Sequence, residues 1–127
     1  MIKELIKKAR EAQQKAYSPY SKFKVGAALL TKSGKIYQGC NVENASYSLT
    51  VCAERVAIFK AVSDGETEFE TLVITSSAGD FTPPCGACRQ VMSEFGDFYI
   101  VMANSSDDTK TMKVSELLPG QFKFNKE

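Results

Sequence analysis

The sequence predicts an α/β fold, a three-layer α/β/α sandwich with a mixed five-stranded sheet. Three observations predict it. Patterned segments follow one another as helix, strand, strand, helix, strand, helix, strand, strand. Strands interleaved with helices need crossovers, and crossovers lay helices on the faces of a sheet. The turn Thr31-Lys32-Ser33-Gly34 joins the first two strands as an antiparallel hairpin, so the sheet is mixed. Finally, 127 residues at 43% apolar composition bury one core without staples, which gives a single domain over 1–127.

Each element has its own signal. Ile2, Leu5, Ile6, Ala9, Ala12 and Ala16 recur at helical spacing, with Lys3, Glu4, Lys7, Lys8, Arg10 and Glu11 on the other face. This predicts an amphipathic helix ended by Ser18-Pro19, its charged stripe facing solvent. Strands at 23–30 and 35–42 flank the hairpin turn. Thr50 is placed to cap a second helix over 51–62, stopped near Gly65, whose largely apolar sides suit a helix lying on a sheet. Residues 71–76, centred on Leu72-Val73-Ile74, read as a buried strand. Pro83 and Pro84 sit where a third helix, over 85–95, begins. Strands at 98–103 and 109–114 enclose the turn 104–108, and 115–118 makes one helical turn before Pro119-Gly120. Parallel crossovers are expected between the middle strands, and 121–127 is a polar tail carrying Phe122 and Phe124.

Charge narrows the partners. Sixteen basic residues against fifteen acidic ones leave a net +1, too little positive field to hold a nucleic-acid backbone or an anionic membrane. A small neutral molecule is the expected partner. The opening residues Met1 to Leu5 form a charged periodic segment, and no apolar run approaches the roughly 18 residues that span a bilayer, so a soluble cytoplasmic protein is expected. The chain has no histidine, which excludes Ser-His-Asp and Cys-His nucleophilic machinery and leaves proton transfer to a carboxylate.

The chemistry is written in two short stretches, Cys52-Ala53-Glu54 and Pro84-Cys85-Gly86-Ala87-Cys88. With no export signal, these cysteines read as metal ligands rather than disulfides. Cys52, Cys85 and Cys88 supply three thiolates to one zinc ion, which keeps its fourth position for water and lowers that water's pKa toward about 7. Placing Cys52 in the first turn of one helix and Cys85 and Cys88 at the start of another aims two positive helix ends at the metal, where thiolates are favoured. Three thiolates around Zn²⁺ give a formal charge of roughly −1, which helix ends offset in part. Arg55 and Arg89 are candidates to donate hydrogen bonds to the sulfurs, Arg55 the stronger of the two.

Glu54 is the candidate proton shuttle, free beside the metal because its offset from Cys52 places it near without coordinating. Most helix glutamates are merely exposed; the Cys-X-Glu and Pro-Cys-X-X-Cys pairing argues against that here. The main alternative for the site is a closed structural knot with Cys40 as fourth ligand, in a module that binds a protein partner. Against it, Cys40 falls on a strand away from both ligand helices, where a small buried thiol is an ordinary core residue.

At these residues the chain resembles the zinc-dependent cytidine deaminases of the small, three-cysteine type. Further blocks carry the resemblance in order: 23–28 (Phe-Lys-Val-Gly-Ala-Ala), 39–47, Cys52 to Arg55, 84–91 and Glu116-Leu117-Leu118-Pro119. It implies a cytidine deaminase-like fold and hydrolytic deamination of cytidine and 2′-deoxycytidine, a step of pyrimidine salvage, by zinc-activated hydroxide with Glu54 moving protons. It implies that Asn41 and Glu43 hold the ribose hydroxyls, within a substrate-binding block that includes Val42. Physically, an amide and a carboxylate two apart on a strand share one face. It further implies that Phe23 packs on the pyrimidine, that the Ala53 backbone bonds the base, that Tyr47 lies near the pocket and a subunit contact, and that Phe122 reaches a neighbour's site in a homotetramer. The block 41–44 favours a free nucleoside over an aminonucleoside antibiotic. The neutral charge and the short 104–108 link argue against a base held in a polynucleotide.

Overall fold

The computed structural model describes residues 1–124; the end of the expected tail, 125–127, lies outside the described residues. The first helix, α1 (Ile2–Gln13), forms because its apolar stripe has a face to meet: Leu5, Ile6, Ala9 and Ala12 are all buried. Strands β1 (Val25–Thr31) and β2 (Ile36–Cys40) pair antiparallel with Leu30 opposite Ile36. There follow a 3₁₀ turn (Tyr47–Leu49), α2 (Ala53–Ser63), β3 (Phe69–Ser76), α3 (Gly86–Ser93), β4 (Tyr99–Ala103), β5 (Thr109–Lys113) and a last short helix, α4 (Val114–Leu117).

The sheet order is β2-β1-β3-β4-β5. Only β3 and β4 are parallel neighbours; β1 pairs antiparallel with β3. The expectation of parallel crossovers between the middle strands therefore holds for one pair. The reason lies in the hairpin: α2 carries the chain from β2 to a parallel β3, but β1 lies between them.

Every residue of β1 is buried, as in a strand covered on both faces. Alternation divides it between two cores. Ala28 and Leu30 join Val73 and Val101 beneath α1, whereas Ala27 and Leu29 join Leu72, Ile74 and Ile100 beneath α2, α3 and α4. Each buried leucine contributes about 1.5–3 kcal/mol of transfer free energy.

Two glycines set how closely the helices approach. A Cβ at Gly26 would stand 1.9 Å from the Ala9 carbonyl oxygen of α1, and one at Gly39 would stand 2.4 Å from the Ala53 carbonyl oxygen and 2.6 Å from the Ala57 nitrogen of α2. Gly39 thus lets the first turn of α2 rest on β2, which places Ala53 and Glu54 at the end of the sheet.

Candidate metal centre and adjoining cleft

Both ligand helices begin on a cysteine. Cys52 is the N-cap of α2 and Cys85 the N-cap of α3, with Cys88 one turn further along. The expectation that Thr50 caps a helix already running at Cys52 is thus corrected by two residues. Val51 exchanges both backbone hydrogen bonds with Val42, at 2.9 and 3.0 Å, which keeps the chain extended up to Cys52. The Thr50 hydroxyl instead accepts the Asn44 N–H at 3.1 Å.

The three sulfurs converge within 4.8 Å of one another, Cys52 and Cys85 at 3.7 Å. Tetrahedral zinc with Zn–S bonds of about 2.3 Å sets sulfurs about 3.8 Å apart, so the donor set fits the ion. Cys40 is not among them. It lines a separate hollow with Lys15 and Lys60, and burial raises its thiol pKa. The closed knot therefore lacks its fourth sulfur among the described residues.

Hydrogen bonding from the Cys88 thiol, then from Arg55 and Cys85, holds Cys52 well below the ordinary thiol range, while sharing with Cys52 and burial push Cys88 up. Arg55 donates from Nη2 to Cys52 Sγ at 3.5 Å, and that bond to Cys52 holds its guanidinium more firmly protonated. Arg89 does not reach a sulfur. It donates to the carbonyls of Pro84 and Leu117, both at 2.8 Å, pinning the loop before α3 to α4.

Glu54, in the first turn of α2, is 4% exposed. Burial pushes its carboxyl up to about 7, the Cys52 charge adding to the effect and its own N–H and Arg55 opposing it. A carboxyl so placed exchanges a proton near neutrality.

A cleft of about 200 Å³ opens onto the cluster, lined by Phe23, Asn41, Glu43, Tyr47, Ala53 and Glu54 together with Cys52 and Cys85. Residues 41–43 run extended between Tyr17 and Val51, so alternation aims Asn41 and Glu43 inward and turns Val42 into an apolar surface hollow with Val51, Val56 and Phe59. Val42 and Phe122 thus lie outside the cleft of this chain. Phe122 is 70% exposed, its carbonyl accepting from Gln90 Nε2 at 3.2 Å. The Asn41 amide donates to the Phe23 carbonyl at 2.8 Å and accepts the Val25 N–H at 2.9 Å. It retains one N–H and one lone pair for a ligand.

The cleft also contains Ser21, Thr50, Thr82 and Pro83, which sequence reasoning missed. Thr82 is fixed by a 2.6 Å hydroxyl–hydroxyl contact with Ser76 at the end of β3. Hydroxyls in Pro- and Ser-bearing loops are ordinary turn composition, so the sequence carries no signal that singles them out.

The family described as the cytidine and deoxycytidylate deaminase zinc-binding region matches residues 1–104. Cytidine deaminase of Sporosarcina psychrophila is 49% identical over 123 residues, covering 95% of this chain and 90% of the relative. That of Halalkalibacterium halodurans is 50% identical over 120 residues, covering 93% and 91%. The crystal structure of cytidine deaminase from Burkholderia pseudomallei superposes with a TM-score of 0.92 at 46% identity, covering 96% of this chain and 99% of that one.

Proposed function

The chain belongs to the cytidine and deoxycytidylate deaminase family, and from that premise we propose that it hydrolyses cytidine, and 2′-deoxycytidine, to the corresponding uridine and ammonia. One observation carries the reading. A buried carboxyl, that of Glu54, shares a cleft with a three-thiol cluster suited to zinc and with polar groups two apart on an extended segment.

Cys52, Cys85 and Cys88 hold one zinc ion, which when bound supplies the Lewis acidity that makes a hydrolytic water acidic near pH 7. Glu54 takes the proton that the attacking water gives up and delivers it to the ring nitrogen as oxygen adds to the amino-bearing carbon. The carboxylate so regenerated takes the remaining proton from the newly added hydroxyl and passes it to the amino group; the C–N bond breaks, leaving a carbonyl on the ring and releasing ammonia. One carboxylate serves as base and acid because each transfer restores the form the next one needs. Arg55 balances the thiolate charge through its bond to Cys52.

Asn41 and Glu43 hold the ribose, Phe23 faces the pyrimidine, the Ala53 backbone bonds the base, and Tyr47 closes the side of the cleft. These roles are supported by their common position around it. Asn41 has a spare donor and Glu43 a spare acceptor, the complement of a sugar hydroxyl.

The protein acts as a homotetramer in this reading, supported by apolar surface beside the cleft. Val42 and Phe59 line a hollow there, and Phe122 is largely exposed, as a residue that packs on a neighbouring subunit would be in the isolated chain. No helix among the described residues is long and apolar enough to cross a membrane. A free nucleoside as substrate and a net charge of +1 fit cytoplasmic pyrimidine salvage without nucleic acid.

The test is to follow the ultraviolet absorbance of cytidine with the zinc-loaded protein, with and without a chelator. Turnover that stops on chelation and returns with zinc is expected; no change in absorbance with fully zinc-loaded protein refutes the activity.

A further inference from the structure

The loop between α1 and β1 meets the cleft at Ser21, and both hydrogen-bonding roles of its hydroxyl are assigned. It donates to Glu43 Oε2 and accepts the Phe23 N–H at 3.0 Å. The backbone N–H groups of Tyr20 and Ser21 donate to the other carboxylate oxygen, Oε1, at 3.0 and 3.1 Å. Between Ser21 and Phe23, Lys22 holds φ of 62°, a left-handed conformation that a lysine keeps only where its surroundings over-determine it. Its N–H is bound by the Ser18 carbonyl at 3.0 Å. One hydroxyl therefore ties the carboxylate of Glu43 to the backbone that carries the Phe23 ring.

A carboxylate offers roughly four acceptor sites. Three of those on Glu43 are taken by donors from this one loop, so one remains for a ligand. The Ser21 hydroxyl decides which oxygen keeps it.

We propose that Ser21 is a positioning residue for sugar recognition: its hydroxyl locks the Glu43 carboxylate so that its last acceptor site meets a hydroxyl of the ribose. It thereby makes the enzyme select nucleosides that carry at least one of the 2′- and 3′-hydroxyls over those that lack both. The inference rests on the reading of Glu43 as a ribose ligand, and extends it to a residue that does not itself touch the sugar.

The experiment compares kcat/KM for cytidine with that for 2′,3′-dideoxycytidine in the zinc-loaded wild type and in Ser21→Ala, Ser21→Thr and Glu43→Ala. A charge-assisted hydrogen bond is worth enough to change such a preference by about tenfold or more. Ser21→Ala is expected to lower the cytidine/dideoxycytidine preference by about tenfold, Ser21→Thr to restore most of it, and Glu43→Ala to lower it at least as far. Because the preference is a ratio taken on one preparation, loss of folded enzyme cancels from it. If Ser21→Ala does not fold, Ser21→Cys, isosteric with a weaker donor, must lower the ratio in the same direction. Equal losses on both substrates in the Ser21 variants, with Glu43→Ala still collapsing the preference, overturn the proposal and leave the ribose reading standing. An unchanged preference in Glu43→Ala overturns both.

Discussion

The Sγ atoms of Cys52 and Cys85 lie 3.7 Å apart across 33 residues of sequence, each on the N-cap of a different helix. Neither side chain caps its helix, so the sulfurs are free to point at a common centre while the helix N-termini favour their negative charge. Changing any one of Cys52, Cys85 or Cys88 to serine is expected to abolish stoichiometric zinc and turnover together. Cys40→Ser is expected to keep both. Zinc per chain by atomic emission reads the difference, and a loss of zinc in Cys40→Ser would restore the closed knot.

Glu54→Gln keeps the volume and one carbonyl oxygen of the buried side chain but removes the titrating proton. Zinc content and fold are expected to persist, with kcat/KM for cytidine lower by at least about a hundredfold, the usual scale of general acid–base catalysis. Unchanged turnover in a zinc-loaded variant would remove Glu54 from the mechanism.

The parts of this molecule legible in sequence are those fixed by local spacing. Cys52, Cys85 and Cys88 converge because helix starts and a Cys-X-X-Cys clip dictate where the sulfurs point. Tertiary pairing decides the rest. The bridge between Val42 and Val51 delays α2 by two residues, and nothing near Thr50 in the sequence signals a partner nine residues upstream. The antiparallel contact of β1 with β3 depends on where α2 returns the chain, a choice that strand patterns do not encode. Alternation aims Asn41 and Glu43 into the cleft and, by the same period, turns Val42 out of it. Ser21 and Thr82 act through contacts with Glu43 and Ser76, distant in sequence or hidden in a loop of ordinary composition.

Two arginines adjacent to the metal motifs are expected to fail in different ways. Arg55→Ala removes a donor to Cys52 Sγ and a positive charge beside the thiolates, and should weaken zinc binding or kcat/KM by about tenfold or more. Arg89→Ala removes two bonds to backbone carbonyls and should destabilise the fold by about 1–3 kcal/mol, with activity per zinc-loaded molecule preserved. Zinc titration and thermal unfolding on the same pair of variants separate the two roles; a matched loss in both would deny the distinction.

Glu43 has a pH signature of its own. The Ser21 hydroxyl, together with the N–H groups of Ser21 and Tyr20, holds its carboxyl below the ordinary value of 4.5. A carboxylate whose folded pKa is depressed stabilises the fold above its unfolded pKa, and that contribution is lost as pH falls through the folded value. The Tm advantage of the wild type over Glu43→Gln is therefore expected to be full at neutral pH and to shrink as pH drops below 4.5. Parallel Tm curves for the two proteins down to acid pH would contradict it.

Gly39 links packing to catalysis. An alanine there would set its Cβ 2.4 Å from the Ala53 oxygen, 2.6 Å from the Ala57 nitrogen and 3.1 Å from the Ala57 Cα, all backbone atoms of α2 that no rotamer change can move aside. The helix must shift outward and carry Ala53 and Glu54 with it. Gly26→Ala makes a comparable collision on the opposite face, 1.9 Å from the Ala9 oxygen and 2.7 Å from the Gln13 nitrogen, but the helix it displaces is α1, which carries none of the cluster. Both variants are expected to lose about 1–3 kcal/mol or more to overpacking. At a temperature where both remain folded and zinc-loaded, only Gly39→Ala is expected to lose kcat steeply, since misplacing a reacting group by about 1 Å costs on the order of a hundredfold. Gly34→Ala controls for backbone strain alone: its φ of 93° is unfavourable to alanine, yet nothing lies within 4 Å of the added carbon. That variant should lose about 1 kcal/mol of stability and no activity. If Gly39→Ala turns over cytidine as fast per folded molecule as Gly26→Ala, the close seat of α2 on β2 is not what holds Glu54 in place.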